Sequence, residues 1–154
     1  MTDVERKRNG ALWRETWRLR ASSVERRELD GVTVLVIDDH LDSLEVAEIV
    51  LERAGARVLA APSAEAGLRF LDTQAIDVLV CDLSMPRVDG FDVVRAVRAR
   101  KDEKRSLPAI AVSGSGVHDA GRAITAGFDA HATKPIAPEA LVAHVRRLAD
   151  RPAA

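Results

Sequence analysis

Five short apolar runs alternate with five helix-period segments from residue 32 to residue 150, and no other feature restricts the fold as much. The runs are VTVLVI (32–37), ARVLAA (56–61), IDVLVCD (76–82), PAIAVS (108–113) and FDAHAT (128–133). They are too short to be helices, and most are apolar on both faces, as interior strands of a parallel sheet must be. Between them, residues 41–53 carry Leu41, Leu44, Val46, Ala47, Val50 and Leu51 at helical spacing and end at Gly55. Ser63 is placed to cap a helix running to Leu71, and residues 91–100 read as an amphipathic helix with an Arg-rich outer face. Helices over about 117–126, stopped by Gly127, and over 138–150 complete the series. Strand–helix alternation over such short links predicts an α/β fold: a (βα)5 unit, doubly wound around a parallel five-stranded sheet, flavodoxin-like in layout.

Composition narrows the class. With 154 residues, 47% hydrophobic and 31% charged, the chain is long enough for one well-packed soluble domain. A net charge of −1 gives no reason to expect a nucleic-acid or membrane partner. The charged start MTDVERKRNG has no apolar core of a secretory signal, and no run approaches the roughly 20 apolar residues of a membrane helix. The single Cys81 excludes an internal disulfide and suits a reducing compartment, so the expected location is cytoplasmic.

In open parallel sheets, ligands gather outside the carboxyl ends of the strands. Here the first strand ends in Asp38-Asp39, the third in Asp82, the fourth in Ser113, and the fifth runs into Lys134-Pro135. Taken singly, each has a plain structural explanation: a helix-entry cap for the acidic pair, a turn cap for Asp82, a turn for Ser113-Gly114, a loop for Lys134-Pro135. Five such groups at four matched strand ends are harder to explain that way. Three carboxylates in one place repel, and a hard divalent ion such as Mg²⁺, which prefers oxygen ligands, relieves the conflict. The four histidines and one cysteine show no zinc-ligand spacing. A nucleophilic carboxylate, a lysine, a hydroxyl and Mg²⁺ together suit phosphoryl transfer to an aspartate.

The segments VLVIDDH, VLVCDLSMPRVDG, IAVSG and ATKP occur in that order at matching intervals, and residues 31–151 resemble the receiver domain of bacterial two-component response regulators (CheY-like). The resemblance implies a signalling module rather than an enzyme, acting in a phosphorelay. Asp82 would be the phosphoacceptor, charged by a histidine kinase or histidine phosphotransfer protein. Asp39, Asp82 and the backbone carbonyl of Ser84 would hold Mg²⁺, with Asp38 acting through a metal-bound water. Ser113 would hydrogen-bond the phosphoryl group and Lys134 would pair with it. His131 stands where the family usually has a switch Tyr or Phe that turns inward with Ser113. The Lys134-Pro135 bond would be cis. The chain stops soon after its last helix, as a stand-alone receiver or one from a hybrid kinase would. An alternative is a degenerate receiver used only as a docking or dimerisation scaffold, although such receivers lose acidic or lysine positions that are all filled here. A flavodoxin-type protein would need a phosphate-cradling loop where Asp38-Asp39 stands, and a haloacid-dehalogenase phosphatase would want an Asp at Ser84.

Residues 1–30 form a separate extension of net charge +2 (eight Lys/Arg, six Asp/Glu), ending at Leu29-Asp30-Gly31. In ALWRETWRLR (11–20), Leu12, Trp13, Thr16 and Trp17 share one helical stripe. So short a helix is marginal alone in water. The expectation is a helix that docks its Trp face on an apolar patch of its own body or of a second copy, giving a homodimer in the latter case.

Overall fold

The computed structural model describes residues 27–114 and 116–151, so the expected Trp-bearing helix lies outside the described residues. The body follows the alternation: β1 (Thr33–Ile37), α1 (Leu41–Arg53), β2 (Arg57–Ala61), α2 (Ala64–Thr73), β3 (Val78–Asp82), α3 (Gly90–Arg98), β4 (Ala109–Ser113), α4 (Val117–Ala126), β5 (Ala130–Thr133) and α5 (Pro138–Ala149). All five strands are parallel, in the order β2-β1-β3-β4-β5. A short 3₁₀ turn at Glu103–Ser106, which the periodicity does not reveal, bridges α3 and β4.

Side chains alternate across the sheet, as the pleat requires. Leu35, Ile37, Leu79, Cys81, Ala109 and Ala111 pack with α2, α3 and α4 on one face. Val34, Val36, Val78, Val80, Ile110 and Val112 pack with α1 and α5 on the other. Every residue of β3 and β4 is buried. Their unbroken apolar character follows, since each lies between two strands and two helical layers.

The chain passes from β1 outward to β2 and then returns across β1 to β3. The carboxyl ends of β1 and β3 therefore flank the point where the winding reverses, where a crevice opens in folds of this kind. The register Ile37↔Cys81 sets the ends of these two strands side by side.

Ser63 caps α2 as expected, its Oγ accepting from the Ala66 amide at 3.2 Å. Three details differ from the sequence expectations. α3 begins one residue earlier than its apolar pattern, at Gly90, because Asp89 closes a reciprocal capping box with Asp92. β5 begins at Ala130, since Phe128 is drawn into the core and the Asp129 carboxylate accepts from the Ala109 amide at 2.9 Å. Arg98 does not belong to an Arg-rich outer face: it turns inward to the carbonyls of Gly127, Arg105 and Leu107.

Candidate functional site

Asp38 and Asp39 follow β1, and the helix after them starts without a side-chain cap, since the N-cap position is His40. Asp38 instead folds its Oδ1 back to accept from the His40 amide at 2.9 Å. This local turn holds the carboxylate over the sheet edge with its other oxygen free to face β3 and β5. The helix-cap explanation of the acidic pair is therefore not the one realised.

Asp82 ends β3 with its side chain buried, 5% exposed. Its Oδ1 accepts from the Ser84 amide at 3.2 Å, which orients the carboxylate. Burial is the largest influence on its acidity and raises its pKa above the ordinary value. The Ser84 hydrogen bond and the Lys134 charge oppose that rise, and Asp38 adds to it.

Lys134 arrives from the end of β5, whose place beside β4 is fixed by a Lys134 amide bond to the Ser113 carbonyl at 2.8 Å. The Lys134–Pro135 bond is cis, as expected. Its Nζ sits 2.8 Å from Asp38 Oδ2 and 3.6 Å from Asp82 Oδ2. Partial burial works against the ammonium, but its hydrogen bond and charge interaction with Asp38, joined by Asp82, prevail and raise its pKa. One cation thus bridges two of the three carboxylates.

The third is left over. Asp39 Oδ1 is buried and has no hydrogen-bond partner. The His40 imidazole lies 3.6 Å away, too far for a hydrogen bond, and is itself largely exposed. Ligand atoms of Asp38, Asp39, His40 and Asp82 all fall within 4.8 Å of one another. An orphaned carboxylate oxygen within a cluster of hard oxygen donors fits Mg²⁺ well. Asp39 and Asp82 could hold such an ion, while Asp38 is paired with Lys134.

Ser113 ends β4 one residue beyond Val112, the register partner of Asp82. It is fully buried. His131 is opposite Ala111 on β5, so its side chain and that of Ser113 share a face two positions apart. The imidazole Nε2 meets Ser113 Oγ at 2.7 Å. The structure therefore brings together Asp38, Asp39, Asp82, Ser113 and Lys134 at one edge and ties His131 to Ser113.

Two supporting positions escape a reading of the motifs alone. A side chain on Gly90 would run into the Asp82 carbonyl and into Leu83 Cα, the latter at 2.9 Å, so only glycine lets α3 start this close to the end of β3. In the intervening loop, Arg87 takes a positive φ of 68° within a tight turn closed by a Val88 amide bond to the Pro86 carbonyl at 2.9 Å. The signal for Gly90 was available as Asp-Gly before an apolar helix. Nothing in the sequence marks Arg87 for that conformation.

Comparison with known proteins agrees with this geometry. Residues 34–146 match the family model for the response regulator receiver domain. A 14.6 kDa uncharacterised protein of Leptolyngbya boryana is 35% identical over 120 residues, covering 77% of this chain and 91% of that protein. The response regulator SaeR of Staphylococcus aureus is 30% identical over 119 residues, covering 77% of this chain but only 50% of SaeR, so the chain spans about half the length of that relative. Among solved structures, a putative response regulator from Chloroflexus aurantiacus superposes with a TM-score of 0.74 at 30% identity, covering 78% of this chain and 98% of that one.

Proposed function

Because the chain belongs to the response regulator receiver domain family, we propose that it is the phosphoacceptor of a two-component phosphorelay, taking a phosphoryl group on Asp82 from a histidine kinase or histidine phosphotransfer protein. One observation carries the reading: three carboxylates converge within 4.8 Å of one another, a single lysine pairs with only Asp38 and Asp82, and a buried oxygen of Asp39 has no partner. A capping or scaffold role requires none of this, and burying such a cluster is costly.

In the transfer, a carboxylate oxygen of Asp82 attacks phosphorus as the bond from phosphorus to the donor's imidazole nitrogen breaks. Asp39, Asp82 and the Ser84 carbonyl, with Asp38 acting through water, would hold Mg²⁺, which would supply positive charge to balance the oxygens of the transferring group. The Ser84 amide keeps the Asp82 carboxylate aimed. Lys134 is already 3.6 Å from Asp82 and needs only to release Asp38 to pair with the new phosphoryl oxygens. Ser113 has a further step to make, because its hydroxyl is engaged by His131. Reaching the phosphoryl group means exchanging that bond, and the imidazole then changes position with it. This is a two-state element biased by the new acceptor oxygens, and its movement alters the surface offered to a downstream protein.

The test is intact-protein mass after incubation with a small phosphodonor such as acetyl phosphate and Mg²⁺. Wild-type protein is expected to gain one phosphoryl group, and Asp82→Asn or excess chelator to prevent it. Equal labelling of the Asn variant would reject Asp82 as the acceptor. A wild-type protein that never labels, from either a small donor or a kinase, would favour the docking scaffold instead.

A further inference from the structure

Of the large apolar side chains exposed among the described residues, Ile124 stands alone on α4, whereas Leu41, Val46 and Ile49 lie together on α1. Leu41, Val46 and Ile49 are 68%, 59% and 40% exposed, whereas the opposite side of the helix is buried through Leu44 and Leu51. Val46 and Ile49 are three residues apart and therefore adjacent on the helix surface. Asp42 and Glu45 lie one turn before them, and Glu52 and Arg53 follow. Val46 and Val50 also form one wall of a groove of about 460 Å³ between α1 and α5. Ile136 and Leu141 line the opposite wall, and the groove opens onto Asp82 and Lys134.

We propose that residues 11–20 of this chain dock as a helix on this α1 face, with Trp13 and Trp17 against Val46 and Ile49 and in the groove beside Asp82. Three observations select this occupant. The first is reach. The residues joining the segment to the body sit at the carboxyl end of α1, where the Leu29 amide donates to the Ala54 carbonyl at 2.8 Å and the Leu29 side chain is fully buried. The six residues 21–26 span up to about 20 Å when extended. A ten-residue helix adds about 15 Å, and α1 itself is only about 20 Å long. The segment can thus lie along α1 as far as the mouth of the groove.

The second is charge. Residues 11–20 contain Arg14, Arg18 and Arg20 against Glu15, a net of +2 (three minus one). α1 contains Asp42, Glu45, Glu48 and Glu52 against Arg53, a net of −3 (one minus four). The third is apolar complementarity. Two tryptophans four residues apart form a compact apolar strip on one helix face, and each ring has much surface to bury. The exposed strip of α1 offers aliphatic partners on neighbouring turns. A helix this short gains its stability from such packing rather than from propensity.

The two tryptophans are the only ones in the chain, so intrinsic emission reports this segment alone. Full-length wild-type protein is expected to show blue-shifted emission that acrylamide quenches poorly and that does not depend on protein concentration. In a Val46→Asp/Ile49→Asp variant, emission is expected to move to the solvent-exposed limit with a severalfold rise in quenching. Both residues are exposed, so circular dichroism and the denaturation midpoint of the body should hold. Emission already at the exposed limit in wild type would overturn the proposal. So would blue-shifted emission that the α1 variant leaves unchanged, which would locate the dock elsewhere. Protection that develops only as concentration rises would assign the α1 face to a second copy instead.

Discussion

The two edges of the same sheet handle charge in opposite ways. At the amino ends of the strands, the charged groups are matched to partners. Arg98 donates to the carbonyls of Gly127, Arg105 and Leu107 and to Asp129. Asp129 also receives Arg151 and the Ala109 amide, and Asp77 receives the Thr33 amide at 2.7 Å. Lys104 reaches the carbonyls of Leu71 and Gln74. At the carboxyl ends, two of three clustered carboxylates share one ammonium, and a buried oxygen of the third, Asp39, has no partner. One edge closes the fold, while the other leaves a buried carboxylate oxygen unpaired and is in that sense incomplete.

That contrast predicts which edge responds to a divalent cation. Mg²⁺ binding only to the folded state stabilises by RT ln(1 + [L]/Kd), about 2.7 kcal/mol at one hundred times Kd. Urea denaturation with Mg²⁺ and with chelator should differ by this order in wild type and by far less in Asp39→Asn. No difference in wild type would remove the metal from the proposed site.

Arg98→Ala probes the completed edge. Its guanidinium makes four hydrogen bonds with the side chain only 25% exposed. Losing charge-assisted bonds to partly buried acceptors is expected to cost about 2 kcal/mol in denaturant unfolding, with phosphodonor labelling of Asp82 unchanged. A comparable loss of labelling would show that the two edges are coupled through the sheet rather than separate.

Removing a charge from the incomplete edge should have the opposite sign and a smaller size. Burial raises the Asp82 pKa above its ordinary 3.8. Between 3.8 and that raised value, the folded state binds the proton more tightly than the unfolded state does. Stability therefore falls as pH rises through the window, and the cost of the ionised carboxylate is fully present above it. In chelator at neutral pH, Asp82→Asn is expected to be more stable than wild type, and the advantage should shrink as the pH is lowered through the window. An Asn variant less stable than wild type at neutral pH would mean that the lost Lys134 contact outweighs the relieved repulsion.

The sequence made the incomplete edge easier to read than the completed one, for a physical reason. Asp38, Asp39, Asp82, Ser113 and Lys134 each stand directly at the end of an apolar run, so once the strands are parallel their meeting follows from register. Asp129 and Arg98 are far apart in sequence and meet through a helix end and a loop, and no local pattern encodes that. Arg98 read as part of a solvated face because helical periodicity describes direction around an axis, not what the next loop brings to it. The Asp89 cap is hidden for a similar reason: its role depends on Asp92 reaching back to its amide. The pairing of Lys134 with Asp38 was also hidden, since the motif suggests a lysine for the phosphoryl group and says nothing of where it rests beforehand.

The smallest effect belongs to Arg100, two residues from Arg98 and on the same edge. It bonds Asp102 at 2.8 Å and Asp72 at 2.9 Å. Those hydrogen bonds, led by Asp102, raise its pKa. Yet Asp72 and Asp102 are 66% and 48% exposed, so water replaces the guanidinium readily when it is removed. Asp102 also keeps its own bond to the Lys104 amide at 3.2 Å, which holds the 3₁₀ turn. Arg100→Ala is accordingly expected to cost at most about 0.5 kcal/mol. That difference should shrink further in high salt, where exposed charges are screened over a few ångströms. The two arginines share charge, hydrogen-bonding capacity and neighbourhood, and differ in whether their acceptors can turn to water instead. If Arg100→Ala proved as damaging as Arg98→Ala, the stability of this edge would come from its ion pairs rather than from the carbonyls that Arg98 satisfies.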